Sequence, residues 1–254
     1  MNTDYLSLQG QVALVTGASR GIGRAIALAF ADAGADVALS SRKLPDLEKV
    51  ADEIKALGRK ALAVQAHNRE PEDLRRLVAA VQEHFGRIDI LVNNAATNPI
   101  MAPLVDVEEK AFDQIMNTNV KGYFLMSQLV GQIMIKQGGG NIINISSVGG
   151  VSPDPWLGVY CISKAAINMI TKAFAKELGE YNIRVNAIAP GVVKTKFSQA
   201  LWTNDALMEE EFKHTPLKRI AEPEEVARLA LTLVSPASAY MTGQIIVMDG
   251  GGSL

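Results

Sequence analysis

The sequence predicts a three-layer α/β fold, a doubly wound sheet of about seven mainly parallel strands with helices on both faces. Short apolar runs such as Val12-Ala13-Leu14-Val15 alternate with longer amphipathic stretches along the whole chain. That is the pattern of strands joined by crossover helices, which cover both faces of a parallel sheet. The second observation is a glycine-rich turn directly after the first apolar run. The third is the lack of any Pro/Ser-rich linker or charge block. The 254 residues, 48% hydrophobic and 20% charged, therefore read as one domain, 1–254, with ample core material.

Gln11 to Thr16 is the first strand, and Arg24 to Ala33, rich in Ala, Ile, Leu and Phe, is the helix after it. Between them lies Gly17-Ala18-Ser19-Arg20-Gly21-Ile22-Gly23. Glycines there let backbone N–H groups approach a pyrophosphate, and the helix N-terminus offers unpaired donors. The spacing is G-x-x-x-G-x-G rather than G-x-G-x-x-G, but its place at the first strand-to-helix turn of a Rossmann-type unit points to a dinucleotide. Glycines needed only for tight packing would give the same letters. Asp36 to Ser40 is the second strand, followed by Ser41-Arg42-Lys43 where a carboxylate would hold the adenosine ribose of NAD. Arg42, with Arg20 from the glycine turn, suits the 2′-phosphate of NADP, so NADP(H) is expected in preference to NAD(H).

Pro45 to Leu57 is the second helix, closed by Gly58; Lys60 to Gln65 is the third strand and Pro71 to Phe85 the third helix. Ile88 to Val92 forms the fourth strand and runs into Asn93-Asn94-Ala95-Ala96, small residues that let a cofactor lie close. His67 stands apart from the other two histidines, so a polar cofactor contact is expected there and no metal site. A helical region from about Val107 to Lys136 is interrupted by Asn117-Thr118-Asn119, which predicts either a backbone-bonded cap or a kink that holds a water.

Gly138-Gly139-Gly140 ends that region, and Asn141 to Ile145 is the fifth strand, delivering Ser146 and Ser147 to the end where open α/β sheets bind ligands. No histidine or acid near Ser147 in sequence supports a nucleophile's triad, so Ser147 is read as a hydrogen-bond donor. The next helix, about Val159 to Leu178, carries Tyr160 and Lys164 one turn apart on one face. A phenol titrates near pH 10, and a neighbouring ammonium favours phenolate, so the pair can build an acid/base; a half-buried Tyr beside a snorkelling Lys would look the same. Ile183 to Ala189 is the sixth strand, ahead of the turn Pro190-Gly191-Val192-Val193-Lys194-Thr195. Lys196 to His214, with Phe197, Leu201, Trp202, Leu207 and Phe212 among charges, reads as a substrate-binding lid or a helical hairpin. Pro223 to Ser235 is the last helix and Gln244 to Met248 the last strand.

A net charge of -2 carries no basic footprint for nucleic acid, and no apolar run is long enough for a membrane span. One cysteine, Cys161, and no export signal in Met1 to Gly10 fit a cytoplasmic protein. Gly252-Ser253-Leu254 lacks the basic residue of a Ser-Arg-Leu signal, so peroxisomal import is not expected.

Taken together, the residues resemble the classical short-chain dehydrogenase/reductase family over essentially the whole chain. The likeness lies in Thr16 to Gly23, Asn93-Asn94-Ala95-Ala96, the Y-x-x-x-K of Tyr160 to Lys164, and Pro190-Gly191. It implies a tetrad of Asn119, Ser147, Tyr160 and Lys164. In it Tyr160 exchanges the proton, Lys164 lowers the phenol's pKa and holds the nicotinamide ribose, Ser147 polarises the carbonyl, and Asn119 positions a relay water. The implied cofactor contacts are Gly17, Ser19, Arg20, Gly21, Ile22 and Gly23 at the first turn, then Ser41, Arg42, His67, Asn68, Asn94 and Ala95. Tyr160, Lys164, Pro190, Gly191, Val193 and Thr195 complete them at the nicotinamide end. Two positions depart from the family pattern: Ala96 stands for a glycine, and His67-Asn68 for Asp-Val.

A finer resemblance, carried by Asn94 to Pro99, Lys194 to Ser198 and Leu201-Trp202, is to the NADPH-dependent carbonyl and retinal reductases. It implies a small carbonyl/alcohol substrate, bound by Ser147, Tyr160, Trp156 and Trp202, and a homotetramer. A 3-oxoacyl-(acyl-carrier-protein) reductase shares the same motifs and is the alternative enzyme. A non-catalytic cofactor sensor on this fold would be marked by a lost tyrosine or lysine, and both are present.

Overall fold

The computed structural model describes residues 4–254. Seven strands run through it: β1 (Val12–Thr16), β2 (Asp36–Ser41), β3 (Ala61–Gln65), β4 (Ile90–Asn93), β5 (Gly140–Ile145), β6 (Ile183–Pro190) and β7 (Ile245–Met248). They form one sheet in the order β3-β2-β1-β4-β5-β6-β7, and every neighbouring pair is parallel. The predicted doubly wound sheet is therefore present. Strand order reverses between β1 and β4, which opens a crevice at their carboxyl ends.

Alternation along each strand sorts the core into two layers. Ala13 and Val15 of β1 face a cluster containing Phe30, Leu47, Ile54 and Val226, from α1 (Gly21–Asp32), α2 (Leu44–Ala56) and α9 (Pro223–Val234). Val12 and Leu14 face the opposite cluster, with Leu77, Met126 and Leu178 from α3 (Pro71–Phe85), α5 (Gly122–Gln137) and α6 (Gly158–Leu178). Prolines open α2, α3 and α9, where the missing N–H costs nothing, and Gly86 and Gly138 close α3 and α5 in the left-handed conformation.

Apart from shifts of a residue or so at element ends, three differences from the sequence reading have a local reason. Helix α1 begins at Gly21, earlier than Arg24, because its glycines pack inside the first turn in spite of their low propensity. Strand β4 begins later than Ile88 because the Ile88 backbone is taken by the Gln137 side-chain amide, which accepts from its N–H at 3.0 Å and donates to its carbonyl at 2.9 Å. The interruption at Asn117 to Asn119 is no break: α4 (Glu109–Ile115) passes through a π-helical turn, Met116–Lys121, directly into α5. The segment Lys196 to His214 holds two short helices, α7 (Gln199–Trp202) and α8 (Asp205–His214), neither with a buried residue. No described helix is long and apolar enough to cross a membrane.

Candidate active site

The carboxyl ends of the central strands open into one cleft of about 590 Å³. At the end beside β1 and α1, Gly17, Ser19, Arg20, Gly21 and Ile22 form the wall. Helix α1 starts there with no side-chain cap on its free N–H groups, the arrangement an anionic ligand completes. Gly23 is absent from the lining: a Cβ there would collide with the Gly17 carbonyl and the Asn94 amide, so this glycine serves close packing. Thr16, which the sequence reading passed over, ties the turn together. Its hydroxyl accepts from the N–H groups of Asn94 (3.0 Å) and Ala95 (3.1 Å) and donates to the Val92 carbonyl. The Asn94 amide donates to the carbonyls of Thr16 and Gly17, so its side chain clamps the turn to the end of β4.

Past β2 the wall continues through Ser41, Arg42, His67 and Asn68. Arg20 and Arg42 are exposed in the cleft, and the arginine ion pairs among the described residues involve other positions. His67 is held below its ordinary pKa by burial and then by the charges of Arg69 and Arg42. The Asn68 amide donates to the Thr118 carbonyl at 2.7 Å and joins this wall to the π turn.

At the other end of the cleft α6 presents Tyr160 and Lys164 to the end of β5, where Ser147 stands. Lys164 is 2% exposed, and its ammonium donates to the Ile145 carbonyl at 2.8 Å. It lies 5.4 Å from the Tyr160 ring centre and 5.6 Å from that of Tyr123, which also donates to the Ile145 carbonyl. Ser146 holds α6 in place, donating to the Asn168 side chain at 2.6 Å, while Asn168 donates to the Gly150 carbonyl. A Cβ on Gly150 would press into the Lys164 backbone, so this glycine sets how closely the loop after β5 approaches the helix. Asn119, fully buried in the π turn, accepts from the Thr97 N–H and donates to the Thr97 carbonyl and Ser163 hydroxyl. Ser163 in turn donates to the Tyr160 carbonyl at 2.7 Å. The Asn119 amide is thus spent on positioning the loop and α6.

The family model described as enoyl-(acyl carrier protein) reductase matches residues 17–253. "Dehydrogenase/reductase SDR family member 4" of Bos taurus is 41% identical over 244 residues, 96% of this chain and 88% of the relative. The chain belongs to the short-chain dehydrogenase/reductase family. A second relative, the 3-oxoacyl-(acyl-carrier-protein) reductase of Thermotoga maritima, is 40% identical over 246 residues, 97% of this chain and 99% of that one. A solved 7α-hydroxysteroid dehydrogenase complexed with NADH and 7-oxo glycochenodeoxycholic acid superposes with a TM-score of 0.95 at 37% identity, covering 99% of this chain and 98% of that one.

As a short-chain dehydrogenase/reductase the chain is an oxidoreductase, and its cleft fits a nicotinamide dinucleotide on three observations. The helix start is uncapped, the two arginines are unpaired, and Lys164 spends only one of its three donors among the described residues. The electrostatics correct one expectation. Burial outweighs the lowering expected from Lys164: it pushes the Tyr160 phenol up to about 12, against a hydrogen bond with Ser147 that pulls it down. Burial also lowers the Lys164 amine to about 7. Desolvation outweighs the pair's mutual attraction, because the ammonium turns to the Ile145 carbonyl and the two aromatic faces.

Pro190, Gly191, Val193 and Thr195 line the cleft, as do Asn94 and Ala95. Two expected substrate contacts lie elsewhere. Trp202 stands outside the lining, its indole donating to the Thr195 carbonyl at 2.8 Å and anchoring α7. Trp156, also outside it, is 58% exposed in a left-handed turn at φ 69°, its carbonyl accepting from the Ala102 N–H. The apolar wall beside the reactive groups is built instead by Met101, Leu157, Leu201 and Phe197, whose ring centre lies 6.0 Å from that of Tyr160. Phe197 was legible as part of an aromatic segment, but which aromatic turns inward depends on how α7 docks.

Proposed function

We propose that this oxidoreductase is an NADP(H)-dependent carbonyl reductase, acting between a ketone or aldehyde and its alcohol. The observation that carries this reading is a single cleft with two unpaired arginines at one end and Ser147, Tyr160 and Lys164 at the other. The bound nicotinamide supplies or takes up the electron pair. Ser147 donates a hydrogen bond to the substrate oxygen and holds the carbonyl against Tyr160, and the phenol gives its proton to that oxygen as negative charge develops. Lys164, with an amine poised near neutrality, holds the ribose and favours the transient phenolate. Tyr123, fully buried and raised well above the ordinary phenol value, keeps its proton and serves as scaffold.

The two relatives match to nearly the same degree, 41% and 40%, and bear different substrate names, so an acyl thioester is the second reading. The apolar wall of Met101, Leu157, Phe197 and Leu201 favours a compact apolar carbonyl compound. The cofactor preference is tested by Arg42→Ala. The dissociation constant for NADPH is expected to rise roughly tenfold or more, the weight of one charge-assisted contact. That for NADH should stay within about twofold; equal losses would remove the 2′-phosphate assignment.

We also propose a homotetramer. Phe124 on α5 and Ile162 and Met169 on α6 are 43%, 46% and 63% exposed, an apolar face that association would cover. A monomer mass by light scattering at micromolar concentration would contradict it. The same reading places the enzyme in the cytoplasm with Cys161 a free buried thiol; recovery only from a secreted or membrane fraction would contradict that.

A further inference from the structure

Asp154 is the charged residue of the cleft that the tetrad leaves unexplained. It sits in the loop between β5 and α6 and lines the cleft together with Ser147 and Tyr160. Its backbone N–H reaches the Cys161 sulfur at 3.5 Å, but its carboxylate has no hydrogen-bond or ion-pair partner among the described residues. A Cβ added at Gly149 would sit 3.6 Å from the Ser147 hydroxyl and 3.9 Å from Asp154 Oδ2, so the carboxylate stands one side chain away from the group that holds the substrate oxygen. Of the other charged groups of the lining, Lys196, Glu211 and His214 come from the α7–α8 segment, and the Asp249 carboxylate is taken by the N–H groups of Gly251 and Ser253.

We propose that Asp154 is a charge filter that restricts the enzyme to carbonyl compounds without an anionic group next to the carbonyl, a deepening that rests on the carbonyl-reductase reading above. Asp154 is exposed at the cleft, and its unpaired carboxylate repels a carboxylate or phosphate close to the reacting carbon. At an effective dielectric near 20, two like charges held within a side chain's length of each other disfavour binding by about tenfold or more. A neutral substrate meets no such penalty, and a hydroxyl beside the carbonyl gains an acceptor. Asp154 touches none of the reacting atoms; its role is specificity, exerted through the field at the mouth of the reactive end.

The test uses the full-length enzyme at pH 7.5 with NADPH and two substrates that share one ketone, ethyl benzoylformate and benzoylformate. Wild type, Asp154→Asn and Asp154→Glu are compared by the ratio of kcat/KM for ester over acid. The ratio is expected to fall about tenfold in Asp154→Asn and to be retained in Asp154→Glu. An unchanged ratio in Asp154→Asn, or an equal fall in both variants, overturns the filter. If wild type reduces neither compound, the carbonyl-reductase reading itself falls and takes the filter with it.

Discussion

Tyr160→Phe is expected to lower kcat for carbonyl reduction by roughly 10²–10⁴-fold, the range in which positioned proton transfer contributes. The substitution removes only the hydroxyl. The ring stays packed against Phe197 and over the Lys164 ammonium, so the wall of the cleft persists. The cofactor is held mainly at the far end, by the α1 N-terminus and the arginines, and NADPH binding followed by fluorescence is therefore expected to change by less than about fivefold. Turnover within about threefold of wild type would remove the phenol from the proposed proton transfer.

Lys164→Met is expected to act on both catalysis and folding. With no cation to favour phenolate, kcat should fall by roughly 10²-fold or more. The stability effect has a definite sign. The Lys164 amine falls from the ordinary 10.5 to about 7 in the folded protein, whereas the unfolded chain keeps its proton to about pH 10. Across pH 7 to 9 the unfolded state therefore binds more protons, and stability of the cofactor-free wild type gains up to about 1.4 kcal/mol per pH unit from this group. The contribution is lost as pH falls through 7. Tyr160, folded at about 12, opposes it only above about pH 10, whereas Cys161, also raised, begins to oppose it at the upper end of that window in wild type and variant alike. Chemical denaturation at pH 7, 8 and 9 should show a shallower pH slope in Lys164→Met than in wild type. Parallel slopes would mean that the amine is not desolvated.

Much of the architecture was open to sequence reasoning because strands and helices carry their own periods. Helix α3 coincides with its expected span, Pro71–Phe85, because a proline and a glycine mark its two ends. The glycine turn, Ser147, Tyr160 and Lys164 could be named because each follows a strand end or opens a helix, and the structure gathers them in one cleft. What stayed hidden was long-range. Thr16 reaches the end of β4, Asn168 reaches the loop after β5, and Tyr123 shares a carbonyl with Lys164; no local pattern announces such partners. The π turn at Asn119 was visible only as polar letters in an apolar helix. Burial is likewise a property of the packed chain, which is why the opposite shifts of Tyr160 and Lys164 could not be anticipated from their spacing. The tryptophans drew attention as large aromatics, yet one anchors α7 and the other faces outward.

The central claim is reduction of a simple carbonyl compound at the expense of NADPH. It is tested most directly by following nicotinamide absorbance with wild-type enzyme, NADPH or NADH, and either ethyl benzoylformate or an acetoacetyl thioester. The account predicts that kcat/KM is highest for the ketoester with NADPH, by roughly tenfold or more over the same substrate with NADH. Turnover of the thioester alone, or equal use of the two nicotinamides, would contradict it.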